Sequence, residues 1–213
     1  MKKLKPLLLV FCAILLVAGS VMGTIAYLTD ETTVVNTFTV GNVDIKLDEA
    51  VVNELGQTTG NDRTEHGNTY HLIPGMRYTK DPTVTVVNGS ESAYVRMLVT
   101  VNYYTELTEI FGDPFLPQNL VTGWDNTKWQ TTNEIAIDTQ NNTATYEFRY
   151  FEAVKPDGAD LVLEALFDSF TIPGEVTGEE LATIRDLKIS VEAHAIQAMG
   201  FANAEAAWAA FTK

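Results

Sequence analysis

Three histidines, His66, His71 and His194, are the side chains of this sequence best suited to hold a metal or move a proton near neutral pH. Their spacing does not make a zinc-protease helix. No H-E-x-x-H occurs, Glu65-His66 and His71 fall in loop or strand context, and His194 alternates onto the outer face of a strand. His66 and His71 beside a carboxylate are the weak candidates for a metal site, and surface histidines are the simpler reading. Hydrolysis by a serine or cysteine nucleophile has less to stand on. There is no G-x-S-x-G elbow, and the only cysteine, Cys12, lies in an N-terminal apolar run. No catalytic residue and no cofactor is therefore predicted. The 28 acidic residues contain no D-x-[DN]-x-[DN]-G calcium loop and read as solvated surface. Trp124, Trp129, Tyr103 and Tyr104 can stack on sugars, which opens an adhesion or glycan-binding alternative, against which stands simple core packing. Asn88-Gly89-Ser90 and Asn141-Asn142-Thr143 match a glycosylation sequon, a pattern short enough to recur by chance.

The elements that would position these residues begin with an export signal. Lys2, Lys3 and Lys5 precede an apolar run from Leu7 to Ala18, and Thr24-Ile25-Ala26 supplies the small residues of a cleavage site before Tyr27. The run is shorter than the roughly 20 residues a spanning helix needs, so a signal cleaved from residues 1–26 is expected rather than an anchor. Secretion to the extracellular matrix or cell surface follows, with membrane contact only through the signal before cleavage. The formal net charge of −14 becomes more negative once the three lysines leave, a surface that repels nucleic acid. With Cys12 in the signal, the mature domain has no thiol for a disulfide and holds itself by core size and pairing.

Residues 27–42 read as an extended N-terminal arm ahead of the first clear strand, where Val43, Ile45 and Leu47 alternate with Asp44, Lys46 and Asp48. Leu28, Val34, Phe38 and Val40 are the apolar residues such an arm can offer to a sheet edge, its own or a neighbour's. Residues 53–68 are polar and read as an exposed loop, Pro74-Gly75 and Asn88-Gly89-Ser90 as turns. Three long period-2 runs follow: Val95, Met97, Val99, Val101 and Tyr103; Ala144, Tyr146, Phe148 and Tyr150; Leu187, Ile189, Val191, Ala193 and Ala195. Residues 105–133 read as turns around short strands, and residues 161–172 as strand despite some helical spacing. Thr177 and Glu180 have capping-box spacing for a short helix over residues 178–185, and Asn203 is placed to cap another over residues 204–211. The expected fold is all-β: an antiparallel jelly-roll-like β-sandwich over residues 43–213, with one or two short helices.

Several short runs occur in order along the chain: Gly23-Thr24-Ile25-Ala26-Tyr27-Leu28-Thr29-Asp30, Asn36-Thr37-Phe38-Thr39-Val40-Gly41, Ile73-Pro74-Gly75, Thr79-Lys80-Asp81, Val87-Asn88-Gly89-Ser90 through Ala93-Tyr94-Val95-Arg96, and Glu192-Ala193-His194-Ala195-Ile196-Gln197. Their ordered set resembles the TasA/camelysin family of proteins secreted by Gram-positive bacteria. Residues 105–142 have no counterpart in it. The resemblance implies export through the dedicated signal peptidase SipW and a jelly-roll-like sandwich that assembles into biofilm-matrix fibres. In those fibres the N-terminal segment of one subunit enters a sheet of the next. The implied partners are further copies of the chain, with other matrix proteins or the cell wall. A metalloendopeptidase activity attached to the camelysin branch is the enzyme alternative.

Overall fold

The computed structural model describes residues 29–33, 36–38 and 43–211, the first two segments by backbone alone. The predicted signal, its cleavage residues Thr24, Ala26 and Tyr27, and the arm residues Leu28, Val34 and Val40 lie outside the described residues. In chain order the strands are β1 (Thr29–Thr33), β2 (Asn36–Phe38), β3 (Ile45–Val52), β4 (Thr58–Thr64), β5 (Arg77–Thr79), β6 (Thr83–Val86) and β7 (Ala93–Asn102). After a helix, α1 (Tyr104–Phe111), come β8 (Val121–Thr122), β9 (Trp129–Asp138), β10 (Thr143–Tyr150), β11 (Leu161–Val162) and β12 (Ser169–Thr171). Helix α2 (Gly178–Thr183), strand β13 (Ile189–Gln197) and helix α3 (Ala204–Ala210) complete the chain.

The strands form antiparallel sheets ordered β2-β1-β13-β7-β10-β9, β11-β6-β3-β4 and β5-β12-β8. Strict alternation builds the first of them. Val95, Met97, Val99 and Val101 of β7, Ala144, Tyr146 and Phe148 of β10, and Val191, Ala193 and Ala195 of β13 all turn inward. Ile45 and Leu47 of β3 with Val84 and Val86 of β6 meet them from the second sheet. Each such aliphatic side chain, fully removed from water, contributes about 1.5–3 kcal/mol, which is why period-2 patterning fixes which face is inside. The fold is thus an all-β antiparallel sandwich.

Several elements depart from the sequence reading. Residues 58–64 are not loop but strand β4, paired with β3 through Glu49 opposite Thr64 and Ala50 opposite Arg63. Arg63 ties this polar strand down by reaching Asp48 and Asp81. The described residues hold three α-helices rather than one or two, because residues 104–111 coil into α1 with Leu107 buried, and a single 3-10 turn follows at Pro117–Asn119. Its first turn is held by Asn142, whose side chain accepts from the Thr105 amide at 2.9 Å and whose carbonyl accepts from the Tyr104 amide at 3.1 Å. Over residues 161–172 only β11 and β12 are strand, in two different sheets, while Leu163, Leu166 and Phe167 between them turn into the core without a ladder.

The two expected helices form. Thr177 accepts from the Glu180 amide at 3.2 Å, and Glu180 reaches back to the Thr177 amide at 2.7 Å. Those Thr177 contacts hold the Glu180 carboxyl below its ordinary value of 4.5. Because the folded state depresses this pKa, the contribution is present above the ordinary value and is lost as pH falls through the lowered one. Thr177→Ala is expected to lower stability by about 1 kcal/mol, measured as an earlier midpoint in urea. Asn203 caps α3 by accepting from the Ala206 amide at 2.9 Å.

Candidate functional site

The segment expected as an arm contributes β1 and β2, an antiparallel hairpin in which Glu31 faces Phe38 and Thr33 faces Asn36. β1 pairs in turn with β13, from Thr29 opposite Ile196 to Thr33 opposite Glu192. In this arrangement the hairpin completes the edge of its own sheet. β7 covers the other side of β13 along its whole length, Ile189 to Gln197. Ile189, Ser190 and Val191 therefore have no strand partner on the β1 side among the described residues.

That short lane opens into a groove of about 860 Å³. Lys188 to Glu192 form one wall, Leu47 to Glu49 the opposite one, and the chain between β4 and β5 closes the end with His66, Asn68, Tyr70 and His71. His66 and His71 thus share a groove, but both are exposed. Among the described residues no three His, Cys, Asp or Glu side chains gather at metal-holding distance. The end wall is stiffened from beneath by Tyr78, fully buried, whose hydroxyl accepts from the Ile73 amide at 2.6 Å and donates to the His71 carbonyl at 2.8 Å. Deeper lies an ion pair, Lys80 Nζ to Glu49 Oε2 at 2.6 Å, with both residues buried. Burial, with the Glu49 carboxylate as a second cause, pushes the neighbouring Tyr70 hydroxyl well above its ordinary value.

His194 corrects the sequence reading. It does alternate to the outer face of β13, yet it is fully buried, because the chain after β13 folds over that face. Phe211 stacks on the imidazole with ring centres 5.1 Å apart. Arg96 of the adjacent strand donates through Nε to His194 Nδ1 at 3.2 Å and lies 4.4 Å from the Trp208 ring centre and 4.8 Å from that of Phe211. Glu147 accepts from both Arg96 and Arg149, so the outer face beneath α3 is a closed layer of charge and aromatic rings. This layer clasps the middle of β13, the strand on which the hairpin rests.

The aromatic residues considered for sugar stacking all make contacts within the domain. Trp129 has no exposed surface and donates from its indole to the Glu164 carbonyl at 2.8 Å. Trp124 donates to the Trp129 carbonyl at 2.8 Å and meets Phe148 edge-on. Tyr103 and Tyr104 pack against the core.

Glu49 and Asn68 are the site residues that the sequence reading passed over, and Lys80 entered it only within Thr79-Lys80-Asp81. A signal for the ion pair was present. Glu49 continues the inward phase of Ile45 and Leu47, and Lys80 that of Tyr78, so two opposite charges occupy core-facing positions that require partners. No protein-family model, no curated protein and no solved structure matches this chain.

Proposed function

We infer that the chain is a secreted structural protein, a subunit of extracellular biofilm-matrix fibres in which copies are joined by β-strand addition of the N-terminal segment. The observation that carries this reading is the lane beside β13, which among the described residues β1 fills only as far as Thr33 opposite Glu192, while β13 itself begins at Ile189 along the groove. A sheet edge offers N–H and C=O groups at strand spacing, so an extended peptide gains a ladder of hydrogen bonds and places alternate side chains in pockets. A β1 strand donated by a neighbour would make the same ladder that β1 makes at home. The exchange therefore trades equal contacts and is decided by chain concentration and by whatever the groove adds. Donation from copy to copy is head-to-tail, and it grows a filament wherever the rotation between copies does not close a ring.

Electron microscopy of the chain beginning at Tyr27, with and without residues 27–35, tests the reading. Filaments are expected from the longer form and none from the shorter. Filaments that survive the deletion would reject the arm as the joining element, and a monomer under every condition would reject fibre formation itself.

A further inference from the structure

The deep wall of the groove holds more than an ion pair needs. Lys80 is 6% exposed and Glu49 5% exposed, and while one oxygen of Glu49 accepts from Lys80 Nζ at 2.6 Å, the other accepts from Asn68 Nδ2 at 2.8 Å. One buried carboxylate therefore bridges an amine and a carboxamide. The carboxamide is pinned on its remaining sides by the backbone of β3. Its nitrogen also donates to the Ala50 carbonyl at 2.9 Å, and its Oδ1 accepts from the Val52 amide at 3.0 Å. These backbone groups flank the irregularity in the β3–β4 register between Ala50 and Val52, where the Asn68 side chain serves as a strand partner.

A nucleophile, an acid–base group touching both nucleophile and leaving group, and an N–H on the oxygen that would gain charge are the parts of an acyl transfer. We propose that Lys80 and Asn68 react with each other, forming an amide between Lys80 Nζ and Asn68 Cγ with release of ammonia. Glu49 first takes a proton from the Lys80 ammonium along their existing hydrogen bond. The Nζ lone pair attacks Cγ, the carbonyl pair moves onto Oδ1, and the Val52 amide holds that oxyanion. Glu49 passes its proton to Nδ2 and takes another from Nζ. The Cγ–Nδ2 bond then breaks, the carbonyl re-forms, and the departing ammonia carries the last proton from Glu49 into the groove as ammonium. No oxidant or outside reactant enters. The product ties the chain after β4 to the end of β5 across the groove wall. It is the kind of loop closure that a domain whose one cysteine is Cys12 cannot obtain from a disulfide.

Intact-mass measurement of the purified chain, with its N-terminus fixed by peptide mapping, decides the matter. A mass lower than the sequence by one ammonia is expected. Tryptic cleavage after Arg63, Arg77 and Arg96 should then yield the Asn68 peptide joined to the Lys80 peptide, resistant to reductant. Lys80→Arg keeps a cation beside Glu49 but lacks the amine, and is expected at full mass, as is Glu49→Gln. Asn68→Asp is expected to lose one water instead. Wild-type protein at full mass after prolonged incubation at neutral pH would overturn the proposal, whatever the variants do. So would an ammonia loss that maps elsewhere, such as to Asn88-Gly89.

Discussion

Trp129→Ala is expected to lower stability by about 3–5 kcal/mol, among the largest effects of any single truncation in this domain. The indole begins β9 and is fully enclosed, packed edge-on against Tyr150 at 5.0 Å between ring centres. Removing it opens a cavity in the core that the surrounding side chains fill only in part. It also strips the Glu164 carbonyl of its donor at 2.8 Å, which leaves a backbone acceptor without its partner. Tyr150 hydrogen-bonds to the Glu164 side chain, and Lys128 pairs with the same carboxylate at 3.2 Å, so the loss propagates along residue 164 to both. Trp129→Phe restores much of the volume but not the N–H, and is expected to recover more than half of the loss. Thermal denaturation followed by circular dichroism separates the two. A drop of roughly 10 °C for alanine is expected in a domain of this size, with phenylalanine between alanine and wild type. A change within experimental error for alanine would mean that the start of β9 is not part of the cooperative core.

What the sequence made legible is what local periodicity encodes. β7, β10 and β13 are long runs in which every second residue is apolar, and the structure buries most of those residues in the expected phase, while Tyr103 and Leu187 fall outside the strands and Ile189 is half-buried. The capping box at Thr177 and the Asn203 cap are local too, each closing within a few residues. The misses were settled by residues distant in the chain. β4 has six of its seven residues exposed, so it carries no hydrophobic period, and it is strand because β3 and Arg63 hold it there. α1 begins at a left-handed Tyr103 with no side-chain cap of its own, its donors met by Asn142. His194 reads as solvent-facing until Phe211, at the other end of a helix and a turn, is laid over it. The groove is assembled from β3, the β4–β5 connection, the residues after α2, and β13, and no window of sequence contains it.

Gly56→Ala is expected to be comparably damaging, by about 3 kcal/mol, although it adds a single methyl group in a polar turn. The position has φ of +70°, where an L-residue sets its Cβ against its own carbonyl at a cost of about 1–2 kcal/mol. The second contribution is a collision. A Cβ there would lie 2.6 Å from the Tyr78 Cα and 2.7 Å from its Cβ, which are main-chain-fixed atoms that no rotamer change can withdraw. Backbone must move instead, and the Thr79 amide is bonded to the Gly56 carbonyl at 2.9 Å. Tyr78 is the central ring of a separate cluster, stacked on Phe170 at 5.0 Å and met edge-on by Tyr70, and its hydroxyl fastens residues 71 and 73. Displacing it therefore loosens the end wall of the groove as well as the small core beneath it. Two measurements follow from this chain of contacts. Urea denaturation should show the lost stability, and amide exchange should accelerate at Ile73 and Thr79 more than in β7 or β13. Equal acceleration everywhere would mean that the substitution weakens the whole sandwich rather than the groove wall. Unchanged exchange would mean that the turn yields without moving Tyr78.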